Sequence, residues 1–325
     1  MNNTAEINSV AVVGLGLLGR GIAACFLGHG FKVVAVERDP QCRAEARRNI
    51  GQMIEELVEI GGFNPGLRSE WSNRFVATAD VSALSECQFV VESIVEDAVA
   101  KEAVFDQIES RVSAETVIAS NSSAIPISQL QSTRRHPDRF VAMHWAEPAH
   151  ATRFMEIIRG GKTSDRAVQA TKALAKKLGK EPSLLEKEIP GFIVNRIGYA
   201  MYREALSLLE AGVADVETID RSMRNALGLW ATLCGPFRWV DITGGPELYA
   251  RAIERVLPTL NNSQELPAIM KKLAESGARG TINGRGFYRY TPEEARHWEE
   301  LYRRHAWRVS QMQNEYFPSP DEQRS

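Results

Sequence analysis

The apolar positions of this chain fall into two regimes that change near residue 190. Before that point, short unbroken apolar runs alternate with longer amphipathic stretches. Val10-Ala11-Val12-Val13 and Lys32-Val33-Val34-Ala35-Val36 have the length and β-branched content of strands buried on both faces. Phe89-Val90-Val91, Thr116-Val117-Ile118-Ala119 and Phe140-Val141-Ala142-Met143 repeat the pattern, and Phe154-Met155-Glu156-Ile157-Ile158 is a strand-like run with one carboxylate inside it. Between them lie helix-length segments, one from Leu17 to about Leu27 stopped by Gly28-His29-Gly30, another running through about Ile60. Strands alternating with helices predict a parallel sheet covered by helices on both faces.

After Ile189-Pro190-Gly191 the strand signal fades. Tyr199 to Glu210, Val216 to Leu227, Tyr249 to Val256 and Glu293 to Gln313 all read as helices. The breaker pair Pro190-Gly191 marks the predicted boundary. It separates a doubly wound, mostly parallel α/β domain at 1–189 from an all-helical domain at 190–325. The end, Pro318 to Ser325, reads as a disordered tail.

Composition narrows the function. With a formal charge of -2 and no basic tract, nucleic acid is not an expected partner. No stretch approaches the roughly 20 apolar residues of a membrane helix, and Met1-Asn2-Asn3-Thr4-Ala5-Glu6 lacks the positive start of a signal peptide. Cys25, Cys42, Cys87 and Cys234 are scattered without metal or disulfide spacing. They read as free thiols in a reducing cytoplasm, and no metal is expected.

Gly14-Leu15-Gly16-Leu17-Leu18-Gly19 matches G-x-G-x-x-G between a predicted strand and a predicted helix, the context that makes the pattern a dinucleotide site in a Rossmann-type sheet. The first glycine permits the turn, the second lets backbone approach a pyrophosphate, and the third allows close helix–strand packing. The helix N-terminus adds free N–H groups and a positive dipole end. Glu37 ends the second strand, where a carboxylate accepts ribose hydroxyls and repels a 2′-phosphate. NAD is therefore the expected cofactor, although Arg38 stands next door.

His144 follows a predicted strand, so it stands where open α/β sheets bind ligands, and an imidazole exchanges its proton near neutral pH. Glu156 is a carboxylate inside a strand-like run, for which an imidazole would be a good partner. From the residues alone both also fit structural roles, a core histidine and an edge-strand acid facing water.

The chain resembles the 3-hydroxyacyl-CoA dehydrogenase family from about Val10 to Tyr290. The likeness rests on Val90-Val91-Glu92-Ser93-Ile94-Val95-Glu96, Ala119-Ser120-Asn121-Ser122-Ser123, His144-Trp145-Ala146-Glu147-Pro148, Pro190-Gly191-Phe192-Ile193-Val194-Asn195-Arg196, Gly235-Pro236-Phe237 and Gly284-Arg285-Gly286-Phe287-Tyr288, in the family's order. The resemblance implies His144 as the base, Glu156 as its orienting acid, and Ser123 and Asn195 as holders of the reacting oxygen. It implies Glu96 and Lys101 near the nicotinamide ribose, with Asn121 and Glu147 at the cofactor, and a homodimer. Otherwise Ser123 reads as a turn residue, Asn195 as a helix-start residue, and Glu96 with Lys101 as a surface charge pair.

Four departures bear on the small-molecule substrate. Glu147 replaces an asparagine usual in the acyl-CoA members. Met53-Ile54-Glu55-Glu56-Leu57-Val58-Glu59 is acidic where those members are lysine-rich, partly offset by Arg43, Arg47 and Arg48. Arg238 reverses a usual glutamate and suits a free carboxylate, or a surface ion pair. Ile282-Asn283 replaces a usual lysine, leaving Arg279 as the nearest substitute. With the long C-terminal helix bearing Trp298, Tyr302 and Trp307, these features resemble the branch of carnitine dehydrogenase and gulonate 3-dehydrogenase (the λ-crystallin group). Arg238, Trp230 and His150 are the candidate substrate residues, with core packing and dimer contacts as the plainer use of His150 and the tryptophans. The rivals are a fatty-acid-type 3-hydroxyacyl-CoA dehydrogenase and a catalytically silent dinucleotide-binding protein.

Overall fold

The computed structural model describes residues 7–318. The expectations for the Met1–Glu6 leader and for the tail beyond Pro318 lie outside the described residues. The chain divides into two compact units, Met1–Ile193 and Val194–Ser325.

In the first unit the elements run β1 (Ser9–Val13), α1 (Leu17–Gly28), β2 (Lys32–Val36), α2 (Pro40–Glu59), α3 (Leu67–Glu70), β3 (Phe75–Thr78) and β4 (Phe89–Glu92). They continue as α4 (Ala98–Glu109), β5 (Val117–Ser120), α5 (Ile127–Gln131), β6 (Phe140–His144), β7 (Phe154–Ile158), α6 (Asp165–Lys177) and β8 (Glu181–Leu185). The strands form one sheet in the order β3-β2-β1-β4-β5-β6-β7-β8. All pairings are parallel except β6 with β7. This is the expected Rossmann-type sheet.

The apolar runs are continuous because helices cover both faces. Every residue of β4, β5 and β6 is buried. Ala11, Val90, Ile118, Phe105 and Phe140 pack together in the main core cluster, each buried aromatic contributing about 1.5–3 kcal/mol of burial free energy. Strand order reverses direction of growth at β1 and β4, so a crevice opens past their carboxyl ends, beside Gly14 and Glu92.

Strands β3 and β8 are absent from the sequence reading. Both lie at the sheet's two edges, where half-buried strands lose the continuous apolar signature. Pro182 inside β8 is tolerated because an edge strand has one unpaired side.

The second unit is helical: α7 (Val194–Glu210), α8 (Val216–Ser222), a π-helical turn at Met223–Leu227, α9 (Gly228–Ala231), α10 (Pro236–Ile242), α11 (Gly245–Val256), α12 (Ala268–Glu275) and α13 (Pro292–Tyr316). A capping box starts α13, with Thr291 and Glu294 satisfying each other's backbone N–H groups. The expected single helix over Val216 to Leu227 instead widens into the π turn before α9. None of α7 to α12 has a fully buried residue among those described.

Candidate active site

The glycine loop joins β1 to α1 with the geometry its spacing predicts. Gly14 has φ of +95° and no room for a side chain, since an added Cβ would lie 2.5 Å from the Ser93 carbonyl oxygen. At Gly19 a Cβ would lie 2.0 Å from the Gly14 carbonyl oxygen, so the third glycine allows the helix to close on the turn. Gly16 is different: nothing lies within 4 Å of a Cβ built there. Its bareness answers no neighbour in this chain and leaves a cradle for an approaching phosphate. Leu15 is buried beneath the loop, Leu17 is exposed and Leu18 half-buried. Glu37 stands at the end of β2 facing the loop, its Oε2 accepting from the Leu15 N–H and its Oε1 from the Asp39 N–H. Arg38 is exposed. Loop, helix start and acid together fit a dinucleotide.

The second cluster assembles through strand register. The antiparallel pairing of β6 and β7 sets His144 directly opposite Glu156. His144 Nδ1 lies 2.9 Å from Glu156 Oε2, with both side chains buried. The other glutamate oxygen accepts from the Ile193 N–H at 3.0 Å. On the far side of the ring, Nε2 lies 3.1 Å from Ser123 Oγ. Against an ionised Glu156, Nδ1 carries the imidazole proton and Nε2 presents a lone pair, the arrangement of a proton acceptor. Glu156 is no edge acid, because β8 covers the outer side of β7.

Two phenylalanines wall the imidazole: Phe154, with ring centroids 5.7 Å apart, and Phe192 at 5.3 Å. Phe192 is the sole non-glycine described with a positive φ, +53°, next to Gly191 at +79°. Such a conformation persists where the surroundings impose it, here to bury the Phe192 ring beside His144. Sequence reasoning quoted Pro190-Gly191-Phe192 as a motif and missed its role as a wall.

The serine loop is pinned by Glu96. Its Oε1 accepts from Ser122 Oγ and from the N–H groups of Ser123, Ala124 and Ile125. Burial pushes the Glu96 carboxyl up, but the Ser122 hydroxyl, the Ala124 N–H and nearby Lys101 outweigh it and hold the group below the ordinary glutamate range. Lys101 is not a surface charge. Its Nζ is buried, 2.6 Å from Glu92 Oε1 and 3.4 Å from Glu96 Oε2. Asn121 ties three strand ends together, donating to Ser93 Oγ and accepting from the Trp145 N–H.

The remaining candidates are divided between the two units. Glu147 is half-buried and joined to Pro148 by a cis peptide. His150, expected at the substrate, is buried with its Nε2 3.0 Å from Glu56 on α2. Asn195, Trp230 and Arg238 belong to the second unit. Asn195 is in the first turn of α7, Arg238 is exposed on α10, and Trp230 stacks on Trp239 with centroids 5.3 Å apart.

Residues 9–189 match the model of the 3-hydroxyacyl-CoA dehydrogenase NAD-binding domain, and residues 191–290 that of the family's C-terminal domain. The chain belongs to the 3-hydroxyacyl-CoA dehydrogenase family. It is an NAD-dependent oxidoreductase of that family by the domain that binds the cofactor and by its relatives. It is 31% identical to 5-formyl-3-hydroxy-2-methylpyridine 4-carboxylate 5-dehydrogenase of Mesorhizobium japonicum, over 89% of this chain and 93% of that one. It is 32% identical to a probable 3-hydroxybutyryl-CoA dehydrogenase of Deinococcus radiodurans, over 86% and 99%. A crystal structure of the formyl-hydroxymethylpyridine carboxylic acid dehydrogenase, described as an NAD+-dependent dismutase, superposes with a TM-score of 0.87 at 29% identity, covering 95% of this chain and 98% of that one. The chain spans only 39% of a fatty acid oxidation complex subunit alpha of Psychrobacter arcticus that it also matches. Among the described residues no helix is long and apolar enough to cross a membrane.

Proposed function

We propose that this dehydrogenase oxidises the 3-hydroxy group of a small free hydroxy acid to a ketone. The observation that carries the chemistry is His144 held between Glu156 and Ser123, with its Nε2 on the serine side. His144 takes the hydroxyl proton, Glu156 orients the ring and stabilises the imidazolium that forms, and Ser123 and Asn195 hold the oxygen that becomes the carbonyl. NAD+, held by Gly14 to Gly19, Glu37, Asn121 and Glu147, supplies the acceptor for the hydride leaving the carbinol carbon. The protein's part is alignment and proton transfer.

The case for a free acid rests on charge. The outward side of α2 carries Glu55 and Glu59, both engaged by Arg68, while the neighbouring Glu56 turns in to the buried His150. That face offers no lysine cluster to CoA phosphates. Arg238 is the proposed partner of the substrate carboxylate, and Trp230, stacked on the neighbouring Trp239, is proposed to offer the substrate an apolar surface. A relative named for a pyridine carboxylate supports the same choice. Carnitine and gulonate head the test panel because the long C-terminal helix and the charge reversals resemble that branch.

A homodimer is proposed as well. The helices of the second unit leave large apolar side chains such as Ile197, Tyr199, Leu229 and Ile253 exposed. A cavity of about 500 Å³ opens among α7, α8 and α12. A second copy is the simplest cover for such a surface. The four free thiols accord with a cytoplasmic location.

The test is NADH formation by purified protein with NAD+ and a matched panel: carnitine, gulonate, 3-hydroxybutyrate and 3-hydroxybutyryl-CoA. Turnover confined to free acids is expected. Turnover with the thioester alone overturns the substrate assignment and makes this a fatty-acid-type enzyme.

A further inference from the structure

Beneath the serine loop lies a buried charge pair to which the reaction as drawn gives no task. Glu92 closes β4 and is wholly buried; Lys101 on α4 is 1% exposed. Both glutamate oxygens are committed. Oε1 accepts from Lys101 Nζ at 2.6 Å and from the Ile94 N–H at 2.8 Å, while Oε2 accepts from Ser120 Oγ at 2.6 Å. Withdrawing two charges from water costs several kcal/mol each, and a buried pair often does no better than apolar residues of equal volume. Net stability therefore gives little reason for the pair at this place. Orientation gives a stronger one.

Two hydrogen-bonded routes run from Glu92 into the loop that carries Ser123. By the first, Ser120 Oγ donates to Glu92 and accepts from the Ser122 N–H at 3.3 Å. By the second, Lys101 is shared between Glu92 and Glu96, and Glu96 gathers the donors of Ser122, Ser123, Ala124 and Ile125. Lys101 thus answers two carboxylates, one buried and one partly exposed. Replacing the buried one by a carboxamide leaves the ammonium's charge to Glu96 alone and leaves one acceptor oxygen where Lys101 and Ser120 each had one.

We propose that Glu92 is a positioning residue: through Ser120 and the shared Lys101 it fixes the Ser122–Ile125 loop, and with it the Ser123 hydroxyl against His144 Nε2. The proposal rests on the roles given above to His144 and Ser123, but the contact it governs is measurable without any substrate.

The experiment is a cycle of Glu92→Gln and Ser123→Ala, read first by the imidazole ¹⁵N shifts of His144. Those shifts are assigned among the six histidines with His144→Gln. Glu92→Gln should reproduce the shift change of Ser123→Ala, and the double variant should add nothing further. With a turned-over substrate, kcat should fall about 10- to 100-fold in Glu92→Gln, the scale of a misplaced reacting group, with NADH affinity kept within about threefold. The same substitution made on top of Ser123→Ala should cost less than about threefold, the non-additivity of residues acting as a unit. Wild-type His144 shifts in Glu92→Gln, or an equal loss in both backgrounds, overturn the proposal. Should Glu92→Gln fail to fold because Lys101 is left uncompensated, Glu92→Gln with Lys101→Met removes both charges together, and wild-type His144 shifts in that variant overturn it equally. If no panel compound turns over while the shifts behave as expected, the substrate assignment has failed and the positioning role stands.

Discussion

The two halves of the site are held by opposite means. The glycine loop is defined by missing side chains: Gly14 and Gly19 leave no space for a Cβ, and Gly16 has space that nothing fills. The serine–histidine cluster is defined by side chains that are present and crowded with partners, Glu96 with at least four donors and Glu156 with two. Backbone shape recognises a ligand by letting it close in. Buried carboxylates hold acceptors and donors at fixed places for a proton to move. Damage to the first half should therefore appear in cofactor affinity, and damage to the second in turnover.

The largest expected effect breaks the second half alone. His144→Ala should lower kcat by about 10²- to 10⁴-fold, the usual loss for a general base, while the NADH dissociation constant stays within about twofold. Steady-state kinetics and NADH fluorescence titration measure the two separately. Retained turnover would remove His144 from the mechanism. Lost NADH binding would mean that the two halves are not separable.

A middle effect sharpens the contrast inside the glycine loop itself. Gly19→Ala places a methyl group 2.0 Å from a backbone oxygen, so helix and turn must part, at a cost of about 1–3 kcal/mol or more. Gly16→Ala meets nothing, so its melting temperature should stay within about 1 °C of wild type. Its NADH affinity should nevertheless fall about tenfold or more, because the second glycine is the one that lets backbone approach the pyrophosphate. Thermal melts and NADH titration of both variants decide this. Equal destabilisation by the two would contradict the open space at Gly16.

The same contrast explains what could be read from the sequence. The glycine loop is local: six consecutive residues between a strand and a helix state the whole device. His144 and Glu156 are 12 residues apart, and only the β6–β7 register makes them neighbours. A buried acid asks for a partner without naming it, so the family resemblance was needed to join them. Glu92 and Phe192 passed unassigned although both stood inside quoted motifs. A glutamate closing an apolar strand gives no sign that its charge is answered by a lysine on the next helix, and nothing local marks a phenylalanine for positive φ. For Lys101 the residues alone offered only a surface charge pair as the alternative to the ribose role implied by resemblance, because sequence spacing cannot tell the buried side of a helix start from the exposed one. The edge strands β3 and β8 were missed for the related reason that half-covered strands lack an unbroken apolar run.

The smallest expected effect concerns the Glu96 carboxylate and pH. Its hydrogen bonds from the serine loop outweigh the burial that pushes it up, so the folded group titrates below its unfolded value. An acid depressed in this way contributes stability that is fully present above the unfolded value, about 4.3 for glutamate. That contribution fades as pH falls through the lower, folded value. The side chain is 38% exposed, so solvent screening keeps the contribution near the bottom of the ~0–1 kcal/mol range of surface interactions. Glu96→Gln keeps a carbonyl that can accept the loop's N–H groups, removes the charge, and puts an NH2 group in place of the oxygen that faces Lys101. Melting temperatures of both proteins should differ slightly from pH 6 to 7, with wild type the more stable, and converge below about pH 4 as the wild-type carboxyl takes up its proton. A gap that widens on acidification would have the wrong sign, and the loop would then be held by shape and backbone rather than by the charge of Glu96.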